Sequence, residues 1–302
     1  MWYNIIAGVK KDCRQVESEE KPLAYSIIND IIFKIVFAKD ENKRILMALL
    51  NVILGYGGQD AIVEITIMNP SIDKETVKEK HSILDIKAVD GQGRHYNIEV
   101  QLKPAKDYIT RTVYYLSGLF GDQLEAGGRY QNLAKTIGIS ITDFVLFDQT
   151  PDLHNVFRLA NVKTSAELTD ILELHYIELT KYDKDKPHKE MTKFEKWLYL
   201  LKFSKMYQDR LSPIPEALKT EEEIVMAIEA YRHAVADNYV KELIDFRRKA
   251  SIDEASRIEE ARRESKSEGK IEGKIEAAKI MLELGHTKTE IAAKLGLKET
   301  DF

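Results

Sequence analysis

Two carboxylates in one short stretch of the chain, Asp85 and Glu99, are the residues whose types and spacing could do chemistry. Residues 82–102 (SILDIKAVDGQGRHYNIEVQL) alternate between apolar and polar side chains on either side of DGQGR, which predicts two strands joined by a tight turn. Like charges directly opposite each other on such a hairpin are destabilising. A divalent cation removes the conflict, because Mg²⁺ is commonly held by one or two carboxylates together with water and phosphate oxygens.

The turn determines which residues of the two strands face each other. Residues 91–93 make a three-residue loop with Gly93 in the left-handed conformation, so that Asp90 pairs with Arg94. One face of the hairpin then carries the apolar pairs Ala88–Tyr96, Ile86–Ile98 and Leu84–Val100. The other face carries the pairs Asp85–Glu99, Lys87–Asn97 and Ile83–Gln101. A solvated face, on which the two acids splay apart or pair with Lys87, explains the same pattern.

The elements that must position this hairpin form a pattern of helices and strands. Apolar residues recur at spacings of three and four from Tyr25 onward, in two helical runs that are separated by AKDEN and ended by GYGG. A strand over 61–70, the hairpin, a long helix over 107–130 and a buried strand over 136–147 follow. This order of helix, three strands, helix and strand predicts a mixed α/β core.

Composition limits the classes of protein to which the chain can belong. Of its 302 residues, 44% are hydrophobic and 31% are charged, and a net charge of −5 gives no overall positive field for nucleic acid. A single cysteine, Cys13, excludes an internal disulfide and a cysteine-based zinc cluster. The sequence predicts neither a membrane span nor a secretory signal, so we expect a cytoplasmic protein. Since it has neither histidines at metal-site spacing nor a glycine-rich phosphate loop, we expect no histidine metal site and no nucleotide cofactor.

Three ordered motifs resemble a known family. The segments NDIIFKIVFAKDENK (29–43), LDIKA and NIEVQ in the hairpin, and ITRTVYYLSGLFGDQLEAGGRY (109–130) are similar to the Rpn-like recombination-promoting nuclease/transposase family of the PD-(D/E)XK nuclease superfamily. The resemblance covers residues 22–182 and, more loosely, the C-terminal tail. It implies a restriction-endonuclease-like α-β-β-β-α-β core, in agreement with the order of elements above. It also implies an endonuclease that hydrolyses DNA with Mg²⁺, as one or two ions for which Mn²⁺ can substitute.

The resemblance further implies roles for individual residues. Asp85 would be the central metal-binding aspartate, Glu99 the acid of the (D/E)XK motif, and Asp30 a supporting metal-binding acid. Gln101 stands where the motif has lysine, which replaces a charge by a neutral hydrogen-bonding group. Lys87, on the same predicted face, is a candidate for the missing cation, and neutralisation of Asp85 is its alternative role. Asp30 could instead cap the helix that begins there.

Basic and aromatic residues after the hairpin are candidates for contacts with the phosphate backbone of DNA. They are Lys103 and Lys106 before the long helix, and Arg111 and Tyr115 on one side of it. Helix-surface charge and aromatic packing on the core form the alternative interpretation.

The chain divides into four predicted segments. Residues 1–22 are a weakly ordered lead-in, and residues 23–185 are the nuclease-like domain, which has further strands over 155–164 and 172–182. Residues 186–250 are a helical region packed on that domain, and residues 251–302 are a charged helical tail. The tail has an apolar stripe made of Ile271, Ile275, Ala278 and Leu282. This stripe predicts a helix that packs on a partner chain or on the body of the protein. We therefore expect a homo-oligomer that forms through the C-terminal helices.

Two other functions are compatible with these patterns. A DNA- or protein-binding module on a nuclease fold that has lost catalysis would account for Gln101. A scaffold that assembles through its helical tail would account for residues 251–302. Metal binding and cleavage of DNA distinguish the three hypotheses.

Overall fold

A computed structural model describes residues 25–69, 85–124 and 127–302 of the chain. The predicted lead-in at 1–22 and the hairpin pairs of Ile83 and Leu84 lie outside the described residues. Within them the chain forms a six-stranded sheet, flanking helices and a helical C-terminal region. The predicted mixed α/β core is therefore confirmed.

Two helices lead into the sheet, as the first apolar pattern predicts. Helix α1 spans Asp30–Phe37 and helix α2 spans Lys43–Leu54, and each buries an apolar face. The N-cap of α1 is Asn29, whose side chain accepts hydrogen bonds from two backbone N–H groups of the first turn. A 3₁₀ turn at Asp40–Asn42 separates the helices. Gly55 ends α2 at φ 67°, a left-handed conformation that glycine adopts without strain.

The sheet is mixed. Its strands are β1 (Ile65–Ile67), β2 (Ile86–Asp90), β3 (His95–Gln101), β4 (Thr136–Thr142), β5 (His154–Ala160) and β6 (Glu167–Glu178). The order across the sheet is β1-β2-β3-β4-β6-β5. Strands β1 to β3 are successive antiparallel neighbours, β4 is parallel to both β3 and β6, and β5 is antiparallel to β6 at the edge. The long hairpin of β5 and β6 thus extends the core that the sequence predicts.

The helix between β3 and β4 is shorter than the sequence predicts. Helix α3 spans Tyr108–Gly121 rather than reaching residue 130. Gly118 and Gly121 weaken its end, since glycine is about 1 kcal/mol less favourable than alanine within a helix. Beyond the helix, the amide of Gln123 accepts a hydrogen bond from the backbone N–H of Ala134 (2.8 Å) and donates one to the hydroxyl of Thr136 (2.6 Å). These bonds turn the chain back toward the start of β4.

The two faces of the sheet differ in chemistry because side chains alternate along each strand. One face is apolar and packs against α1, α2 and the C-terminal helices in a single core that includes Ile86, Tyr96, Ile98, Ile139 and Ile177. The other face is polar, and α3 packs over it from the side of β3 and β4. Thr112 of α3, for example, forms a buried hydrogen bond with Tyr176 of β6. The candidate acids lie on this polar face.

Five helices complete the described chain. They are α4 (Lys193–Phe203), α5 (Glu216–Lys219), α6 (Glu222–Ala236), α7 (Asn238–Glu283) and α8 (Lys288–Leu295). The first turns of α7 bury Val240, Leu243 and Ile244 against the body of the protein. Helix α7 then continues without a break through residue 251, where the composition predicts a new segment. No helix among the described residues is both long and apolar enough to span a membrane.

Candidate metal centre

The β2–β3 hairpin has the register that the sequence predicts. Lys87 pairs with Asn97 and Ala88 with Tyr96, and the loop residue Gly93 has a φ of 82°. The backbone N–H of Asp90 bonds to the carbonyl of Arg94 across the loop, at 3.1 Å. Turn geometry and the alternation of apolar residues therefore select the same pairing.

The two acids lie side by side on the polar face. Asp85 immediately precedes β2, and the register of the hairpin places it opposite Glu99. Both side chains are largely withdrawn from solvent, with 8% of Asp85 and 4% of Glu99 exposed. The negative charge of Asp85 contributes to raising the pKa of Glu99, which indicates that the carboxylates are close.

Burial dominates the electrostatics of this pair. Burial raises the pKa of Asp85, while the positive charges of Lys87 and Lys34 act in the opposite direction. Burial likewise raises the pKa of Glu99, against the lowering effect of Arg111. Because a raised pKa means that the ionised form is incompletely compensated, an additional positive charge at this position would stabilise both carboxylates.

Asn69, two residues beyond the end of β1, positions Asp85. Its side-chain NH₂ donates to the backbone carbonyl of Asp85 at 3.0 Å and approaches the carboxylate at 3.4 Å. Its side-chain oxygen accepts from the backbone N–H of Lys87 at 2.8 Å. Sequence analysis missed this residue. The only signal is an asparagine at the end of a predicted strand.

Arg111 reaches from α3 into the pair of acids. One terminal guanidinium nitrogen, Nη2, donates to Glu99 Oε1 at 2.9 Å and to Gln101 Oε1 at 3.0 Å. Gln101 is held at its other end as well, because its Nε2 donates to the backbone carbonyl of Lys103 at 2.9 Å. Arg111 therefore lies within the site, beside the second acid, and its predicted contact with the DNA backbone stays a prediction.

Unsatisfied acceptor atoms show which ligand the site suits. Glu99 Oε2 and Asn97 Oδ1 are buried and have no hydrogen-bond partner among the described residues. Both side chains are on the polar face, next to Asp85. Carboxylate and amide oxygens are the donors that hard cations such as Mg²⁺ prefer. In the part of the chain that the structure describes, no group of three or more His, Cys, Asp or Glu side chains could hold a metal. A cation here would thus have two carboxylates and rely on amide, water or substrate oxygens for its other ligands.

A family model described as PD-(D/E)XK nuclease family transposase matches residues 27–261 of the chain. The chain belongs to this family. The match includes the α1–α2 segment, the hairpin with both acids, and α3. Searches of the curated proteins and of the solved structures found no significant match. The fold of this family agrees with the six-stranded mixed sheet, and PD-(D/E)XK nucleases generally use divalent metal ions.

The third acid implied by the resemblance to nucleases, Asp30, has a different environment. It is the first residue of α1, and Asn29 rather than Asp30 is the helix cap. Asp30 forms an ion pair with Arg247 of α7, at 3.4 Å. Burial raises its pKa, and Arg247 is the charged neighbour that lowers it. The N-cap position therefore belongs to Asn29 and not to Asp30, although Asp30 Oδ1 also accepts the backbone N–H of Ile31 at 2.9 Å. A place for Asp30 in the metal shell of this nuclease fold stays a prediction.

Lys34 is a basic residue of the nuclease domain that sequence analysis did not select. It lies on α1 within the apolar run DIIFKIVF, yet only 4% of it is exposed. Its positive charge acts to lower the pKa of Asp85, against the larger effect of burial. A lysine in the apolar face of a helix was the available signal, since such residues are rarely buried without a partner.

The remaining predicted DNA-binding residues border the site. Lys103 and Lys106 are exposed in the segment that links β3 to α3. Tyr115 is half-buried on α3, where burial and the charges of Glu99 and Asp85 raise its pKa while Arg111 lowers it. The contacts of these three side chains with DNA stay predictions.

Proposed function

We propose that the chain is a Mg²⁺-dependent DNA endonuclease in which Asp85 and Glu99 hold the metal. The observation that carries the proposal is the pair of buried carboxylates with raised pKa values beside unpartnered oxygens of Glu99 and Asn97. A buried cluster of this kind is costly unless a counter-charge completes it. Membership of the nuclease family supports the reaction class.

Several residues around the two acids have a part in the proposed hydrolysis of the phosphodiester bond. When bound, the metal lowers the pKa of a water molecule and offsets charge that develops on the phosphate. Asp85 and Glu99 would hold the cation through their oxygens, and Asn97 would offer a third oxygen. Asn69 keeps Asp85 in place through its backbone and side-chain bonds. Lys87 and Lys34 balance the charge of Asp85.

DNA is the proposed substrate, and Lys103 and Lys106 are the proposed contacts with its backbone. Both lysines are exposed and follow Gln101 within a few residues, so they lie at the edge of the polar face. Contacts of this kind fix the position of a duplex or strand without reading its sequence. We propose Mg²⁺ as the physiological ion, with Mn²⁺ as a substitute.

Nicking of supercoiled plasmid tests this function. We expect cleavage by the wild-type protein with MgCl₂ and none with EDTA, and a loss of at least about 100-fold in Asp85→Asn and Glu99→Gln, typical for removal of an electrostatic catalytic group. Asp60→Asn is the matched control, since Asp60 is exposed and lies outside the site. Equal nicking by wild type and Asp85→Asn would overturn the proposal.

The rival function predicts a different result in the same experiment. A protein that binds DNA without cleaving it in Mg²⁺ or Mn²⁺ would be a binding module on a nuclease fold. The uncharged Gln101, which replaces the lysine of the motif, is the residue that favours this candidate.

A further inference from the structure

A guanidinium group lies where the superfamily motif has the charge of its lysine. Position 101 carries glutamine, and the positive charge beside it comes from Arg111 of α3, 3.0 Å from Gln101 Oε1. The same Nη2 atom lies 2.9 Å from Glu99 Oε1. The site therefore retains a cation at this position, although it comes from a different element of the fold.

We propose that Arg111 is a catalytic residue that contacts the scissile phosphate, and that Gln101 is the positioning residue that holds its guanidinium. This inference rests on the proposed nuclease function and assigns the charge that the reaction would otherwise lack. Glu99 is the partner of Arg111 when no divalent ion is bound. A divalent ion on Glu99 would repel the guanidinium and leave it with Gln101 and the phosphate.

The chemistry of glutamine explains why position 101 is not lysine here. Gln101 has an oxygen that accepts from Arg111 and an NH₂ group that donates to the carbonyl of Lys103, so its orientation is fixed at both ends. A lysine has three donors and no acceptor, and it would bring a second positive charge next to the guanidinium. Glutamine at 101 and arginine at 111 therefore function as a matched pair.

Arg111 retains donors for an anionic substrate. Its bonds to Glu99 and Gln101 both use Nη2, and its Nε is buried without an acceptor among the described residues. The guanidinium also stacks near the ring of Tyr108, 5.2 Å from the centroid, which restricts its plane. Such a planar fork suits two phosphate oxygens at once.

Lys87 is the other candidate for this charge, and its surroundings differ. In the register of the hairpin it faces Asn97, one strand away from Gln101. Its charge acts on Asp85, whose pKa it lowers. Lys87 thus balances the first acid, whereas Arg111 is bonded to both the second acid and the residue at the lysine position.

A charge exchange between positions 101 and 111 tests the proposal. In plasmid nicking with MgCl₂, Arg111→Met and Gln101→Lys should each lose about 100-fold in rate, because each removes or displaces the phosphate-directed cation. The double variant, which returns lysine to 101 and removes the competing guanidinium, should recover at least about 10-fold over either single variant, an interaction expected of coupled neighbours. Full activity of Arg111→Met, or a double variant no better than the singles, would overturn it.

The affinity of the protein for Mn²⁺, measured by calorimetric titration at pH 8, gives a second readout that does not depend on activity. Removal of Arg111 takes away a cation that competes for Glu99, so Arg111→Met should bind Mn²⁺ more tightly than wild type while cleaving DNA more slowly. A purely structural role of Arg111 predicts weaker binding, and that result would contradict the proposal. If the wild-type protein does not cleave DNA, the nuclease function itself is overturned. If the wild type cleaves DNA and Arg111→Met cleaves it at the same rate, only this inference is overturned.

Discussion

At the scale of single residues, the candidate site is defined by negative charge withdrawn from water. Asp85 and Glu99 both have a pKa raised above the ordinary carboxyl value, chiefly by burial. A proton and a divalent cation compete for the same oxygens, so the raised pKa values move this competition toward neutral pH.

The affinity for Mn²⁺ should therefore fall as the pH decreases, and the loss should begin at higher pH than for exposed carboxylates. Arg111 lowers the pKa of Glu99, so Arg111→Met should shift the loss to still higher pH. Calorimetric titration of both proteins over a pH series measures this shift. Coincident pH profiles would contradict the electrostatic account of Glu99.

The sequence predicts the two acids but not their surroundings, for a physical reason. Asp85 and Glu99 belong to one hairpin, whose register follows from its turn and its alternation of apolar residues. Asn69 bonds to Asp85 and Lys34 acts on its charge from segments distant in sequence, and only the packing of those segments brings them together. Arg111 was predicted to contact DNA, and its bond to Glu99 depends on how α3 lies over the sheet.

At the scale of elements, the hairpin loop and α3 make opposite use of glycine. Gly93 has a φ of 82°, which other residues adopt only with strain. Gly118 lies within α3 with open space around its Cα, so a side chain is tolerated there. The pattern of apolar residues predicted the register of the hairpin correctly. It predicted too long a helix for α3, because the chain is turned by hydrogen bonds of Gln123 to Ala134 and Thr136, which a local pattern does not show.

Substitution of these two glycines by alanine should have opposite effects on stability. Gly93→Ala should lower the free energy of unfolding by about 1 to 2 kcal/mol, the cost of a left-handed conformation for an L-residue. Gly118→Ala should raise it by up to about 1 kcal/mol, because alanine favours the helix. Urea denaturation of the two variants provides the measurement. An unchanged stability of Gly93→Ala would argue against the loop conformation that sets the register.

At the scale of the whole molecule, α7 joins the body to the tail. Its first turns bury Val240, Leu243 and Ile244, whereas Ile252 and Ile258 farther along are 57% and 59% exposed. Near the end of the chain, Ala278 of α7 and Ile291 of α8 are buried where those helices meet. The predicted domain boundary near 251 and the predicted homo-oligomer both remain predictions.

Truncation distinguishes the two parts of α7. A chain that ends at residue 261 should unfold in urea at the same midpoint as the full chain. A chain that ends at residue 237 should lose roughly 5 kcal/mol, since three buried apolar side chains contribute about 1.5 to 3 kcal/mol each. Light scattering of the 261 truncation tests the tail as an assembly element. A large loss of stability at 261 would show instead that the tail supports the core.

A cluster of ionisable side chains around β6 makes a separate contribution to the pH dependence of stability. Glu173 accepts hydrogen bonds from His175, Arg158 and Lys135. Burial raises the pKa of Glu173, but these three partners lower it by more, to about 2. His175 is also bonded to His154 (2.8 Å), whose pKa is lowered to about 4 by burial and by its neighbour. The folded state thus favours ionised Glu173 and neutral His154.

The stability that this cluster contributes should consequently fall in two steps as the pH decreases. The first step lies between about 6.5 and 4, where unfolded His154 binds a proton that the folded state excludes, and the second lies between about 4.5 and 2 for Glu173. His154→Phe should remove about 1 kcal/mol of the loss between pH 7 and 5, after allowance for solvent screening of the ring. Urea denaturation at both pH values compares the variant with wild type. An equal loss in the two proteins would refute the role of His154.

The most direct test of the central claim is the position of Mn²⁺ in crystals of the protein, located by its anomalous scattering. The account predicts a peak coordinated by the carboxylates of Asp85 and Glu99, and its disappearance in Asp85→Asn. Well-ordered Asp85 and Glu99 side chains with no Mn²⁺ between them, or a peak unaffected by Asp85→Asn, would contradict it.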